Sequence, residues 1–307
     1  MLMKPQKLQK GDCVGVIAPA SPTNPDSLQT ALSFLEDLGL RVKLGRHLYN
    51  EYGYLAGADA DRLADLHEMF ADSEVKAIIC SNGGYGTARI AAGIDYDLIR
   101  RNPKIFWGYS DITFLHTSIR QQSGLVTFHG PMLSSDIGKE TWSDVSATYM
   151  KQLFHDEAVV YDESIAPITT PIAGYAEGEL VGGNLCLIVS TLGTPYEIET
   201  KNKILFIEDI HEEPRSIDRM LNQLWMAGKL QDIAGLVVGD FSDCGPEDGK
   251  QTLTLEEVLD HYIRLVNKPT LMGLKMGHCQ PHIAVPLGTK AVLDTEKKLL
   301  VVESGTR

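Results

Sequence analysis

Short apolar runs that alternate with amphipathic helical segments constrain the fold of this chain more than any other feature. In order, the apolar runs lie at 14–18, 40–44, 77–80 and 105–107, and the helical patterns at 27–38, 59–70, from Thr87 and from Asp111. Strands that alternate with helices predict a parallel sheet with helices on both faces. Ligands of such sheets bind at the carboxyl ends of the strands. We therefore predict an N-terminal α/β domain whose functional residues follow its strands.

The alternation fades at 156–175, where proline and acidic residues are frequent. We interpret this segment as a linker between a domain at 1–155 and a second domain at 176–307. The second domain begins with a Gly-rich segment at 178–183, interpreted as a turn region, and includes a polar loop at 242–251. Its other segments predict a mixed α/β domain with more strand towards its end.

Length, charge and cysteine content exclude several classes of protein. The 307 residues suffice for two ordinary cores. The net charge of −13, from 28 basic and 41 acidic residues, argues against a nucleic-acid partner. We see neither a secretory signal nor a membrane span, and the five cysteines are scattered. We therefore expect a cytoplasmic protein with no nucleic-acid or membrane partner.

Ser110 stands at the predicted turn between a buried strand and a helix, in the sequence KIFWGYSDIT. A serine there presents its hydroxyl outward, and the N–H groups at the helix start face any negative charge beside it. This is the arrangement of a nucleophile elbow, although Ile112 replaces the second glycine of G-x-S-x-G. A helix N-cap is the alternative role for such a serine.

A nucleophilic serine needs a base, and the base needs a group that orients it. His278, in the loop sequence MGHCQPH, is the candidate base, with a structural histidine as the alternative. Its spacing from His282 also fits a zinc pair on a helix, but Pro281 argues against a helix and we expect no metal. Glu208 ends an apolar strand, where a carboxylate needs a partner, so it is the candidate orienting acid. The acids that follow it resemble a solvated turn.

Further candidates lie in the loops. The loop at 83–86 lacks the motifs of a phosphate site, and we assign it an oxyanion hole formed by the N–H groups of Gly84 and Asp111, with a plain tight turn as the alternative. Arg215 either binds a substrate carboxylate or pairs with neighbouring acids. His129, in FHGPM, is a candidate substrate contact in the same cleft.

Several segments, in order, resemble the LD-carboxypeptidase family of serine peptidases, which also includes microcin immunity proteins. They are GGYGTAR, KIFWGYSDIT, FHGPM, GGNL, LGTP, LFIEDIHEEPRSIDRML, GLKMGH and VPLG. The resemblance spans residues 11–288. It implies a flavodoxin-like or glutamine-amidotransferase-like N-terminal domain that carries the nucleophile Ser110. It also implies a second, strand-rich domain that supplies Glu208 and the base His278, so that the triad assembles at the domain interface.

The resemblance also implies an activity. Members remove the terminal D-alanine from muropeptide tetrapeptides during cell-wall recycling, without metal or organic cofactor, and are often homodimers. Many relatives have an arginine before the GGYG loop where this chain has Asn82, which puts the ligand in question. The first alternative is a microcin-immunity-type hydrolase of peptidyl or aminoacyl nucleotide conjugates. The second is a catalytically silent murein-peptide-binding protein.

Overall fold

A computed structural model describes residues 2–246 and 251–307, so residues 247–250 of the predicted polar loop lie outside the described residues. The chain forms two compact units. The first consists of the chain up to Glu157 together with residues 280–288 and 304–307, and the second of residues 158–279 and 289–303. Each unit is built around its own sheet.

The first unit is a parallel sheet with helices between its strands. In chain order its elements are β1 (Cys13–Ile17), α1 (Pro25–Asp37), β2 (Arg41–Leu44), α2 (Asp59–Ala71), β3 (Val75–Cys80), α3 (Thr87–Ile90), α4 (Tyr96–Arg101), β4 (Ile105–Gly108), α5 (Thr113–Ser123), β5 (Thr127–His129), α6 (Asp144–Met150) and, far along the chain, β12 (Val285–Leu287). The strand order is β12-β5-β4-β3-β1-β2. The strands β1 to β5 pair in parallel, whereas β12 pairs antiparallel with β5.

Both faces of this sheet are buried. In β4, Ile105 and Trp107 belong to one apolar cluster and Phe106 to the other. Successive side chains of a strand point to opposite faces, so each face receives its own core. This explains why β4 reads as a continuous apolar run, as strands of parallel sheets do.

The second unit is a mixed sheet. Its elements are β6 (Val159–Tyr161), β7 (Thr169–Ile172), β8 (Tyr175–Asn184), α7 (Leu185–Ser190), β9 (Ile204–Ile210), α8 (Pro214–Met226), β10 (Gly235–Ser242), α9 (Leu255–Val266), β11 (Thr270–Met272), β13 (Lys290–Asp294) and β14 (Leu299–Val302). The strand order is β6-β14-β13-β8-β9-β10-β11-β7. The four strands β8 to β11 pair in parallel, and the flanking strands pair antiparallel. The predicted α/β class, with a strand-rich second half, is confirmed.

The predicted linker at 156–175 is wrong, because it contains β6 and β7. These are the two outermost strands of the second sheet. Edge strands tolerate proline, and Pro171 lies in β7, so the composition that resembled a linker belongs to sheet edges. The second unit is also not continuous over 176–307, because residues 280–288 return to the first sheet as β12.

The Gly-rich segment at 178–183 is not a turn but the centre of β8. A Cβ atom on Gly182 would lie 1.9 Å from the carbonyl oxygen of Phe206 in β9. The glycine is therefore required by close backbone approach rather than by a turn. Among the described residues, none of the helices combines the length and the apolar content that crossing a bilayer demands.

Candidate active site

Ser110 occupies a sharp turn directly after the buried strand β4. Its φ is 61°, in the left-handed region that serine rarely adopts, and it begins a short 3-10 turn that precedes α5. A Cβ atom on Gly108 would lie 3.0 Å from the Ile112 side chain, so the end of β4 before the turn has little room for a side chain. The neutral imidazole of His116, whose pKa burial lowers to about 4, bonds the Gly108 carbonyl at 2.8 Å. This strained backbone is the hallmark of a nucleophile elbow.

The Gly-rich loop lies against this serine. A Cβ atom on Gly83 would be 3.0 Å from the Ser110 Cβ and 3.1 Å from its Oγ. The loop is fixed by Ser21, whose N–H donates to the Gly83 carbonyl at 3.0 Å and whose hydroxyl accepts from the Tyr85 N–H at 3.1 Å. Gly84 has a φ of 106°, and a Cβ there would lie 2.2 Å from the Ser21 Oγ. The structure therefore requires glycine at position 84 and leaves little room for a side chain at position 83.

The N–H groups of Gly84 and Asp111 are the candidate donors to a developing oxyanion. Within the part of the chain that the structure describes, neither N–H donates a hydrogen bond. Both groups follow the ends of neighbouring parallel strands, β3 and β4. An oxyanion hole needs donors that are held in place without a partner in the resting enzyme. The assignment of these two amides to an oxyanion hole stays a prediction.

The Asp111 side chain ties the serine turn to the start of α3. Its Oδ2 accepts from the Thr87 N–H at 2.9 Å, and the Thr87 hydroxyl donates to the Asp111 carbonyl at 2.6 Å. Only 2% of the Asp111 surface is exposed. Burial raises the pKa of this carboxyl to about 6, against the lowering effect of the bonds from Thr87.

Arg62, which the sequence analysis missed, connects the loop that follows β1 to the loop that follows β3. Its guanidinium Nη1 donates to the carbonyls of Pro19, at 2.6 Å, and Gly86, at 2.8 Å. Its Nη2 donates to Asp59, and its side chain is fully buried. The pattern of α2 contains a signal for this residue, since Arg62 precedes the buried Leu66 by four positions and so lies on the apolar face. A buried arginine needs partners, which predicts a structural or functional contact.

Glu208 and His278 form a short contact inside the second unit. Glu208 lies in β9 with no exposed surface, and its Oε2 is 2.7 Å from Nδ1 of His278. His278 follows Gly277, where a Cβ atom would lie 2.4 Å from the same carboxylate oxygen. Gly277, with a φ of 111°, is therefore needed for this approach. A carboxylate on Nδ1 leaves Nε2 of the imidazole as the site that exchanges a proton.

The acids after Glu208 are not all in a solvated turn. Asp209 is also part of β9 and is 2% exposed. It accepts from the Asn184 amide and the Cys186 N–H, each at 2.9 Å. Burial, followed by the charge of Glu208, raises the pKa of Asp209 to about 6. The expectation of a solvated turn is wrong for Asp209, because β9 runs on to Ile210.

The two predicted substrate contacts have partners within their own units. Arg215 is exposed, and its Nε lies 2.7 Å from the carboxylate of Glu213, as the alternative interpretation expected. His129 is fully buried, with its ring centroid 5.6 Å from that of Tyr109 and 5.4 Å from that of His282. Burial favours a packing role for His129. A direct substrate contact by either residue stays a prediction.

Asn82, which stands where many relatives have arginine, donates from its side chain to the Pro22 carbonyl at 3.1 Å. It therefore joins the loop that follows β1 to the loop that follows β3. Among the residues that the structure describes, no cluster of three or more His, Cys, Asp or Glu side chains is arranged to hold a metal ion.

Family models match both halves of the chain. The LD-carboxypeptidase N-terminal domain matches residues 14–130, and the LD-carboxypeptidase C-terminal domain matches residues 177–293. A protein of Bacillus subtilis described as a probable murein peptide carboxypeptidase is 61% identical over 302 residues, which cover 98% of this chain and 95% of that protein.

Solved structures of related proteins share the fold of this chain. The crystal structure of an MccF-like protein from Bacillus anthracis is 29% identical with a TM-score of 0.87, covering 98% of this chain and 99% of that chain. The muramoyltetrapeptide carboxypeptidase of Oxalobacter formigenes is 27% identical with a TM-score of 0.84, covering 96% of this chain and all of that chain (100%). With a strained serine elbow in one unit and a Glu–His pair in the other, the chain belongs to the LD-carboxypeptidase family.

Proposed function

We propose that this protein is a serine LD-carboxypeptidase that hydrolyses the bond between the L-diamino acid and the terminal D-alanine of murein tetrapeptides. The observation that carries the proposal is the Ser110 elbow, with its left-handed backbone and the glycine loop against its side chain. The 61% identity to a probable murein peptide carboxypeptidase supports the substrate class.

In the proposed reaction Ser110 is the nucleophile, His278 the general base and Glu208 the acid that orients it. The Ser110 Oγ attacks the carbonyl carbon while its proton passes to Nε2 of His278. The N–H groups of Gly84 and Asp111 bind the oxyanion that forms. His278 then protonates the amine of the departing D-alanine, which leaves an acyl-enzyme. Water attacks this ester with His278 again as base, and Ser110 regains its proton.

D-alanine release from purified tetrapeptide, with wild type and Ser110→Ala, tests the substrate and the nucleophile together. We expect kcat to fall by about 10⁴-fold or more in the variant, because binding and the oxyanion hole leave only a residual rate. A folded Ser110→Ala protein with near wild-type release would refute the assignment. A fluorophosphonate probe tests the base separately, since labelling of Ser110 should be lost in His278→Ala.

The second candidate keeps the proposed triad and changes the substrate to an aminoacyl nucleotide conjugate. The likeness to the MccF-like structure favours it. Hydrolysis of an aminoacyl-sulfamoyl adenosine, without D-alanine release from tetrapeptide, would decide for this candidate. A silent murein-peptide-binding protein would bind the tetrapeptide but neither hydrolyse it nor react with the probe.

We also propose that the protein is cytoplasmic and forms a homodimer, as the family resemblance implies. Light scattering of the purified protein should give twice the mass of the 33.8 kDa chain. A mass of one chain at micromolar concentration would contradict the dimer. Fractionation of cells that produce the protein should find it with cytoplasmic markers.

A further inference from the structure

Two tyrosines of the first unit form an exposed aromatic pair. Tyr54 is 65% exposed and Tyr85 is 51% exposed. Their ring centroids are 5.5 Å apart and the ring planes meet at 74°. The two ring faces are therefore nearly perpendicular, and we call this pair of rings, Tyr54 and Tyr85, the tyrosine corner. Exposed aromatic surface indicates a binding site when the aromatic side chains are clustered and the loops that carry them are fixed.

Hydrogen bonds to the backbone fix both of the loops that carry the two tyrosines. Tyr54 lies in a tight turn closed by Tyr52 and Leu55, whose N–H groups and carbonyls bond each other at 2.8 and 3.1 Å. Leu55 is 3% exposed, and the following Ala56 donates its N–H to the Ala20 carbonyl at 2.9 Å. The Tyr85 N–H is held by Ser21. The rings are therefore presented by anchored loops.

The pair is also close to the proposed nucleophile. Tyr85 directly follows Gly84 and is two residues from Gly83, against which the Ser110 side chain lies. Since consecutive Cα atoms are about 3.8 Å apart, the Cα of Tyr85 is at most about 7.6 Å from that of Gly83. A substrate group that extends from Ser110 past Gly83 towards Tyr85 would meet the tyrosine corner.

A polar edge accompanies the two rings. Arg89 is exposed and its Nη2 lies 2.9 Å from the carboxylate of Asp59. The bonds to Asp59 raise the pKa of Arg89, and Arg89 stands four residues after Tyr85 in the chain. Apolar ring faces bordered by hydroxyl and guanidinium donors suit a ligand with C–H groups and oxygen acceptors.

From this corner, and on the basis of the proposed function, we infer that Tyr54 and Tyr85 bind a pyranose ring of the amino sugars carried by a muropeptide. The tetrapeptide itself has no ring to fill the corner. A sugar in a chair conformation presents C–H groups in more than one direction and can contact both ring faces, whereas a flat nucleobase stacks on only one of two nearly perpendicular rings. The sugar hydroxyl and acetamido groups accept hydrogen bonds from Arg89 and the phenols.

The test is the selectivity ratio, kcat/KM for disaccharide-tetrapeptide divided by kcat/KM for free tetrapeptide. Aromatic contacts are each worth about 0.5–1.5 kcal/mol, so we expect wild type to prefer the disaccharide form about 2- to 13-fold per ring. Tyr85→Ala and Tyr54→Ala should each bring the ratio closer to one, and Tyr85→Phe should retain most of it. Tyr52→Ala is the matched control, because Tyr52 is 69% exposed in the same turn and should leave the ratio at its wild-type value.

Each other result has a defined meaning. A wild-type ratio of one, with D-alanine released from both substrates, overturns the sugar subsite and leaves the proposed function intact. Release from neither substrate by folded wild type overturns the proposed function and the subsite with it. An unchanged ratio in both alanine variants, with weaker binding of an aminoacyl-sulfamoyl adenosine, overturns the sugar and assigns the corner to a nucleobase.

Discussion

Arg62→Met tests whether the buried guanidinium holds the oxyanion loop in place. Methionine keeps most of the apolar stem of arginine but donates no hydrogen bond. The substitution leaves the carbonyls of Pro19 and Gly86 without the donor that now reaches them at 2.6 and 2.8 Å. Gly86 closes the loop that carries Gly84, and Pro19 precedes Ser21, which fixes the same loop. The change therefore loosens both supports of the proposed oxyanion donor without touching it.

The magnitude follows from the two lost bonds. The Pro19 carbonyl is left without a donor, which costs about 1–3 kcal/mol of unfolding free energy. The Gly86 carbonyl keeps the Arg89 N–H at 3.2 Å and loses one bond from a charged donor, which costs about 1.5–3 kcal/mol. For a unit of this size, 1 kcal/mol corresponds to a change in Tm of about 2–4 °C. Complete loss of one oxyanion donor lowers kcat about 10²- to 10³-fold. Because Gly84 is displaced rather than removed, we expect kcat to fall about 10- to 100-fold with little change in KM.

The assay is D-alanine release at temperatures where each variant is folded by circular dichroism. Arg100→Met is the matched control, since Arg100 also bonds a carboxylate three residues earlier, Asp97, and a backbone carbonyl, that of Gln122. Arg100 is half exposed, so its loss should change kcat less than twofold. Arg62→Lys, with one charged donor, should recover part of the loss. A folded Arg62→Met enzyme with kcat within threefold of wild type would refute the reasoning.

Two further predictions concern the buried carboxylates. Glu208→Gln should lower kcat for tetrapeptide about 10²- to 10⁴-fold, because the carboxylate 2.7 Å from Nδ1 of His278 fixes the tautomer and stabilises the imidazolium; activity near that of wild type would contradict this role. The pKa of Asp111 is raised to about 6, so the folded protein binds this proton more tightly than the unfolded chain does. The contribution of Asp111 to the free energy of unfolding therefore falls as the pH rises from about 4 to 6. Relative to wild type, Asp111→Asn should gain about 1–3 kcal/mol of unfolding free energy between pH 4.5 and pH 7.5 in urea titrations, and a difference that does not vary with pH would count against it.

The parts of the fold that local pattern controls were predictable. The alternation of apolar runs and amphipathic helices identified β1, β3, β4 and the helices between them, because burial on both faces of a parallel sheet imposes that pattern. The return of β12 to the first sheet was not predictable. Its pairing with β5 joins Val285 to His129, more than 150 residues apart in sequence, and no local periodicity records such a partner.

The residues of the candidate site also fall into those that the sequence indicates and those that only the fold shows. Ser110 and His278 could be picked out from the sequence because each lies in a loop after an apolar strand, and Glu208 because it is a carboxylate inside an apolar strand. Ser21 could not, and for Arg62 the pattern of α2 indicates burial but not its partners, since both residues bond loops far along the chain. A hydroxyl and a guanidinium have no motif of their own, and only the fold shows that they hold the backbone of the glycine loop.

The adjacent acids Glu208 and Asp209 show how far local pattern can assign roles at this site. Successive side chains of a strand point to opposite faces, so two neighbouring carboxylates in β9 cannot serve the same partner. On one face of β9 Glu208 contacts His278, and on the other face Asp209 accepts a hydrogen bond from the N–H of Cys186, at the start of α7. Exchange of the two acids would keep a carboxylate on each face, but the one towards His278 would be shorter by one methylene and the one towards Cys186 longer by one, so neither contact would keep its distance. The faces of the strand decide which position serves His278, and the proposed triad depends on the length of the acid at that position as well as on its presence.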